Sequence, residues 1–352
     1  MRLNVAIAGA GLIGRKRAEA LKSIEDCQLK FIIDINQEAA KTLAQEFGAD
    51  FETNWQNVVS RNDIDIVIVS TINKALASIS IAALRNRKHV LCEKPLGRNV
   101  EEAKRIIKVS RESGSVLKTG FNHRHHLAIM KAKSLIDGGE LGIIYYIKCV
   151  YGHGGRPGYE KEWRADRYLC GGGELLDQGV HIVDLFRWFL GEFDEVFGKI
   201  NTYYWDMDVE DNAFAIFKTR SGQIAFMHTS WTQWKNKFLF EIFCEKGYLI
   251  IDGLGGSYGK EKLIIGKRKI DNKYQPLNSR QKILYEGGAP DEEIIEFSGP
   301  DISWQEEWKE FVSAIKEKRD PLGSGYDGLM ANILIEAVYK SAISNRPIKI
   351  DT

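Results

Sequence analysis

The chain has 352 residues, 44% hydrophobic and 28% charged, with 49 basic against 48 acidic side chains and a formal net charge of +1. That length exceeds what one hydrophobic core usually serves, so two domains are expected, and near-neutral charge excludes a general attraction to nucleic acid or acidic membrane. The five cysteines (Cys27, Cys92, Cys149, Cys170, Cys244) form no CxxC pair, which argues against a zinc ribbon or disulfide framework and for a reducing, cytoplasmic setting. The opening MRLNVAIAGAGLIG lacks the length of a spanning helix and the basic lead and cleavage site of a secretion signal, so residues 4–8 read as a first strand. Helices over 11–23, 37–47, 74–85 and 100–113 alternate with strands over 29–34, 64–70, 89–93 and 116–120. Continuous apolar strands alternating with helices predict an α/β domain with a parallel, doubly wound sheet over residues 1–121. Residues 122–352 change texture. A helix over 127–137, a strand over 143–151 and a helix over 175–189 precede strands over 195–204, 212–219, 223–231, 238–244, 248–252 and 262–265. Helices over 303–318 and 328–345 close the chain. This succession predicts an α+β domain with a large, mainly antiparallel open sheet.

The turn Gly9-Ala-Gly11-Leu12-Ile13-Gly14 follows the first strand and opens a helix. Glycine there permits a tight turn and close backbone approach to a pyrophosphate, which the helix N-terminus attracts. An acid, Asp34, ends the second strand 34 − 14 = 20 residues later, the spacing at which a carboxylate meets ribose hydroxyls. Strand, glycines, helix and acid together predict dinucleotide binding. A carboxylate followed by Ile35 and Asn36, with no base, favours NAD over NADP.

The strand over 89–93 runs into Glu93-Lys94-Pro95. Ligands of open parallel sheets bind beyond the strands' carboxyl ends, which puts Lys94 at the cofactor crevice. With these features the chain resembles, over nearly its whole length, the Gfo/Idh/MocA family of sugar and inositol oxidoreductases. The resemblance rests on the Rossmann glycine turn, Glu-Lys-Pro, Gly120-Phe-Asn122-His-Arg124, and Gly171-Gly-Gly-Glu-Leu-Leu-Asp177-Gln-Gly-Val-His181. It implies catalysis by Lys94 and His181 with Asp177 beside them. It also implies a cofactor site of Gly9, Gly11, Leu12, Ile13, Gly14, Asp34, Thr71, Asn73, Glu93, Lys94 and Asn122, and a homodimer or homotetramer formed through the C-terminal sheet. The family's Thr-Pro-Asn and following histidine are here Thr71-Ile-Asn73 and Leu76, which blurs the cofactor loop.

Asp177 and His181, four apart, would share a helical face with Asp184 near them, where carboxylates can orient and tune an imidazole. The preceding glycines would let backbone approach a ligand. Aromatic and basic residues suited to stacking on a sugar or gripping an anion add His153, Arg156, Tyr159, Trp163, Arg164 and Arg124 to Lys94, Asp177 and His181 as substrate contacts. With His123, His125 and His126 they make the site locally basic, which points to an anionic sugar such as a nucleotide sugar or sugar acid. Trp231, Trp234, Trp304 and Trp308 read as packing. No histidine and acid set has metal-ligand spacing. The expected activity is hydride transfer to or from a sugar carbon. Two alternatives stay open: an NAD-dependent glycoside hydrolase or epimerase with transient oxidation, and a non-enzymatic dinucleotide-binding regulator.

Overall fold

The computed structural model describes residues 2–268 and 290–350. Its first sheet holds β1 (Leu3–Ala8), β2 (Cys27–Ile33), β3 (Asp50–Glu52), β4 (Ile66–Val69), β5 (His89–Glu93) and β6 (Leu117–Gly120). All pair in parallel, in the order β3-β2-β1-β4-β5-β6. The order reverses between β1 and β4, and a crevice opens beyond their carboxyl ends. The apolar run of β4 is buried along its whole length because helices cover both faces. Helices α1 (Leu12–Leu21) and α2 (Gln37–Phe47) lie on one face; α3 (Trp55–Val59), α4 (Asn73–Arg85) and α5 (Val100–Ser113) lie on the other. Local chemistry fixes their ends: Asn36 and Asn99 cap α2 and α5 through their side chains, and Gly48 and Gly114 close them in the left-handed region.

The second sheet adds β7 (Ile144–Gly152), β8 (Phe193–Asn201), β9 (Asn212–Thr219), β10 (Ile224–Ser230), β11 (Lys237–Cys244), β12 (Gly247–Asp252), β13 (Glu261–Lys267), β14 (Glu292–Phe297) and β15 (Ile348–Lys349). Its order is β14-β13-β12-β11-β7-β10-β9-β8-β15, antiparallel throughout except for the β7–β10 pair. One face is covered by α6 (Leu127–Asp137), α8 (Val180–Leu190) and the last helix, around a core that includes Ile147, Phe186, Phe217, Phe240 and Val338. Among the described residues no helix covers the other face. A four-residue helix, α7 (Arg167–Cys170), lies in the connection before α8.

Four features depart from the sequence expectation, each for a local or long-range reason. The strand predicted to run to Tyr204 ends at Asn201, because the backbone N–H groups of Tyr203, Tyr204 and Trp205 donate to the Asp211 carboxylate and turn the chain. The helix predicted over 175–189 begins as a single π-helical stretch, Leu175–Gly179, before α8. Helix α9 (Ser303–Glu317), though late in the chain, returns to the first sheet: Trp308, Phe311 and Val312 pack with Val5, Ile7 and Ile32. The closing helix, α10 (Gly325–Ser344), starts three residues before the expected 328, since Ser324 and Asp327 form a reciprocal cap.

Candidate active site

The glycine turn is built by contact. Gly9 has φ +107°, and a Cβ there would lie 2.4 Å from the Ser70 carbonyl oxygen; one on Gly14 would lie 1.8 Å from that of Gly9. Gly14 thus packs α1 against the turn and does not line the crevice, whereas Gly11 faces open space at the uncapped start of α1. Asp34 anchors the turn as well as facing the crevice: its two carboxylate oxygens accept from Ala10 N (2.8 Å) and Asn36 N (2.9 Å). Free N–H groups at a helix start, a side-chain-free approach at Gly11 and a carboxylate beyond β2 fit a dinucleotide's pyrophosphate and ribose.

From there one cavity of about 650 Å³ runs to the second sheet, lined by Gly9, Gly11, Leu12, Ile13, Asp34, Thr71, Asn73, Glu93, Lys94 and Asn122 of the expected cofactor set. Asp177, His181, Arg156, Trp163 and Arg164 of the expected substrate set line it too, so Lys94 and His181 share one space although they come from different halves of the chain. Lys94 follows β5, and its peptide with Pro95 is cis. Its Nζ donates to the Asp177 carbonyl oxygen (2.6 Å) and to Asp177 Oδ1 (2.7 Å). Burial pushes the Asp177 carboxyl up, but the Lys94 and Arg164 charges outweigh it and hold the group well below the usual carboxylate range. His181 stacks on His123 with ring centroids 3.7 Å apart and planes 14° apart. Burial, aided by the Lys94 charge, pushes His181 well below its ordinary value and leaves it a neutral imidazole. Its Nδ1 is buried with no hydrogen-bond partner among the described residues, so Asp177 does not orient it.

Other expected contacts lie elsewhere. Arg124 donates to both oxygens of Asp184 (2.7 and 2.6 Å) and approaches Asp327 (3.2 Å), so neither Arg124 nor Asp184 belongs to the cavity lining. His153 accepts from Gly155 N and meets Tyr159 edge to face; Tyr159 packs beneath on Trp231 and Trp205. The Gly171–Gly173 run is explained by the protein itself, since Cβ atoms there would strike Arg98, the Tyr339 hydroxyl and the Glu210 backbone. Nor are His123, His125 and His181 a source of positive charge: burial pushes all three well below their ordinary value. Trp304, read as packing, lines the cavity with Lys16 over its ring at 5.2 Å, and Trp234 is exposed. Missed altogether were Trp55, Tyr258 and Asp301. Only the glycine-rich stretch 253–259 carried a signal, as a loop able to approach a ligand. Among the described residues no cluster of histidine, cysteine and acids is arranged to hold a metal, and no helix is long and apolar enough to cross a membrane.

Residues 3–121 match the oxidoreductase family GFO/IDH/MocA, NAD-binding Rossmann fold, and residues 129–250 match the GFO/IDH/MocA C-terminal domain. The chain is 25% identical to myo-inositol 2-dehydrogenase of Thermotoga maritima, over 99% of each chain. It is 30% identical to D-glucoside 3-dehydrogenase of Escherichia coli, over 65% of this chain and 70% of the relative. It is also 30% identical to levoglucosan dehydrogenase of Pseudarthrobacter phenanthrenivorans, over 63% of this chain and 60% of that one. Among solved structures, levoglucosan dehydrogenase in complex with NADH and levoglucosan superposes with a TM-score of 0.87 at 24% identity, covering both chains completely, a likeness of fold.

Proposed function

The chain belongs to the Gfo/Idh/MocA family of NAD-binding oxidoreductases, and from that premise we propose that it exchanges a hydride between NAD and a carbinol carbon of a neutral sugar, with Lys94 and His181 managing the proton. It is an oxidoreductase acting on CH–OH groups. NAD, when bound along the glycine turn, supplies the hydride acceptor. The Lys94 ammonium, fixed by two bonds to Asp177, keeps a third proton for the sugar oxygen and stabilises the charge that grows there. His181, neutral in its buried setting, accepts the hydroxyl proton as the carbonyl forms and returns it in reduction. The observation that carries this reading is the shared cavity, which sets an oriented ammonium and a neutral imidazole beyond the dinucleotide crevice.

The neutral substrate follows from the ion pairs. Arg156 is bidentate to Glu162, Arg164 lies between Glu162 and Asp177, and Lys94 is paired with Asp177. The lining as a whole carries four bases (Lys16, Lys94, Arg156, Arg164) and four acids (Asp34, Glu93, Asp177, Asp301). An anionic substrate would have to break pairs already made, whereas hydroxyls can bond to them as they stand. Asp34 supports NAD over NADP, because its carboxylate repels a 2′-phosphate. A panel of neutral, carboxylated, phosphorylated and nucleotide-linked sugars, each with NAD and NADP and read by nicotinamide absorbance, tests both points. Turnover of neutral sugars with NAD is the expected result. Turnover confined to anionic sugars would overturn the neutral-substrate reading, and turnover with none would remove the activity.

A further inference from the structure

A catalytic imidazole usually owes its orientation to a hydrogen bond at the ring nitrogen that does not meet the substrate. His181 has none, because its Nδ1 is buried and unpartnered among the described residues. What touches its faces is aromatic: Phe121 edge-on at 6.0 Å and His123 stacked at 3.7 Å. His123, by contrast, is held at both nitrogens. Its Nδ1 lies 3.2 Å from Asn122 Oδ1, and its Nε2 lies 3.1 Å from the Tyr151 hydroxyl. The Asn122 amide nitrogen donates to Ser303 Oγ (3.1 Å), which leaves its oxygen to accept from His123. That fixes the proton of His123 on Nδ1 and makes Nε2 the acceptor of the Tyr151 O–H. Tyr151 is itself wedged on its far side by Tyr258, whose hydroxyl accepts from Gln178 Nε2 at 2.6 Å.

We propose that His123 is the positioning residue for His181: a ring locked in one tautomer by Asn122 and Tyr151 that forms a flat wall fixing the plane of the proton-exchanging imidazole. The inference rests on the assignment of proton exchange to His181. It also explains why the two rings tolerate close stacking. Protonating His123 would require its Nε2 to displace the Tyr151 proton, so the lock keeps the wall uncharged. Burial acts in the same direction, pushing His123 well below its ordinary value, with His181, His126, Lys94 and Lys16 disfavouring a charge there as well. The charged and titratable groups around the pair are Lys16 and Arg17 from α1, Lys94 from the end of β5, His126 from the turn before α6, Tyr151 from β7, Tyr258 from the stretch after β12, and Glu174 and Asp177 from the start of the π-helical stretch and within it.

Removing the Tyr151 hydroxyl tests the lock without removing either ring. In Tyr151→Phe, His123 Nε2 is free to take a proton. The acid limb of the kcat/KM profile should then move up from its wild-type place, short of the ordinary histidine value because burial and the neighbouring charges persist, while KM for NAD stays unchanged. In the double variant Tyr151→Phe with His123→Phe the wall is aromatic but cannot be charged, and the limb should return to its wild-type place. A hydroxyl that merely supported the fold would lower the melting temperature of both variants equally and leave the limb still. NMR titration of histidine-labelled protein reads the same lock without any substrate. His123 should titrate at a higher pH in Tyr151→Phe than in the wild type, where burial and the lock both oppose its charge. If Tyr151→Phe folds poorly, Asn122→Asp, which sets a carboxylate on the other nitrogen, should likewise raise the pH at which His123 titrates. A His123 that titrates identically in wild type and variants overturns the proposal. A wild type that oxidises no sugar while the titrations come out as described overturns the functional reading alone.

Discussion

Lys94 is the residue on which most of the site converges, since the same ammonium holds Asp177 by its carbonyl and its carboxylate and faces the cavity. Replacing it with alanine removes one of the two cations that hold Asp177 ionised, Arg164 being the other, and the donor for the sugar oxygen, but leaves the glycine turn and Asp34 intact. Turnover should therefore fall by about 10²–10⁴-fold, with NADH affinity, read by fluorescence titration, nearly unchanged. Wild-type turnover in Lys94→Ala would take Lys94 out of the mechanism, and a lost cofactor affinity would make its role one of assembly. At this scale the sequence is informative where chemistry and chain position coincide. The glycines, Asp34, Lys94, Asp177 and His181 sit at turns and strand ends whose place follows from the alternation of elements. Arg124 carries the same charge as Arg164, 164 − 124 = 40 residues further along the chain, yet Asp184 consumes it, and nothing local to either residue reveals the pairing. His123 was noticed only as one base in a basic run, whereas its use depends on a neighbour, Tyr151, 28 residues away.

Among the elements, the long strands and helices were legible from periodicity, and those that were not are short or lack a pattern. The three-residue β3 and two-residue β15 are too brief to carry alternation, and β14, Glu-Glu-Ile-Ile-Glu-Phe, has its apolar pair flanked by acids. Amphipathic spacing predicted α9 but could not say that it would cover the first sheet, because the partner Val5 is some three hundred positions distant. The second sheet's outer face is a case where alternation and register together say more than either alone. Paired Cα positions put Phe197, Ile216, Phe226, Lys148, Glu241, Ile250, Ile264 and Ile294 in one transverse row. Apart from the central Lys148–Glu241 ion pair at 3.1 Å, that row is apolar, and Ile216, Phe226 and Ile294 are exposed in the single chain. An uncovered apolar row of this extent is expected to meet a second copy. Light scattering should give a multiple of one chain mass for the wild type and a smaller multiple for Phe226→Glu, with unchanged secondary structure. A monomeric wild type would leave this face to another role.

On the scale of the whole molecule, two sets of buried groups tilt stability with pH in opposite senses. Six histidines (His89, His123, His125, His153, His181, His228) are held below their ordinary value, chiefly by burial. The unfolded chain takes up protons that the folded chain refuses, so these groups cost stability as pH falls below about 6.5. Glu174 works the other way. It is fully buried, both its carboxyl oxygens lack a hydrogen-bond partner among the described residues, and burial, with Asp177 nearby, raises it well above the usual range. The folded chain keeps a proton there that the unfolded chain releases above its ordinary 4.5, so this group costs stability as pH rises through that value and until the folded form also ionises. A difference measurement isolates it from the histidines. Glu174→Gln mimics the protonated group at every pH, so its stability relative to wild type should be constant below about pH 4.5. Above that pH it should gain by up to about 1.4 kcal/mol per pH unit. Paired thermal or urea unfolding across that range reads the gain directly. A difference that does not change with pH would mean that Glu174 is ionised in the folded protein, and the region around Lys94 and Asp177 would then hold one more negative charge than the ion pairs described above can balance.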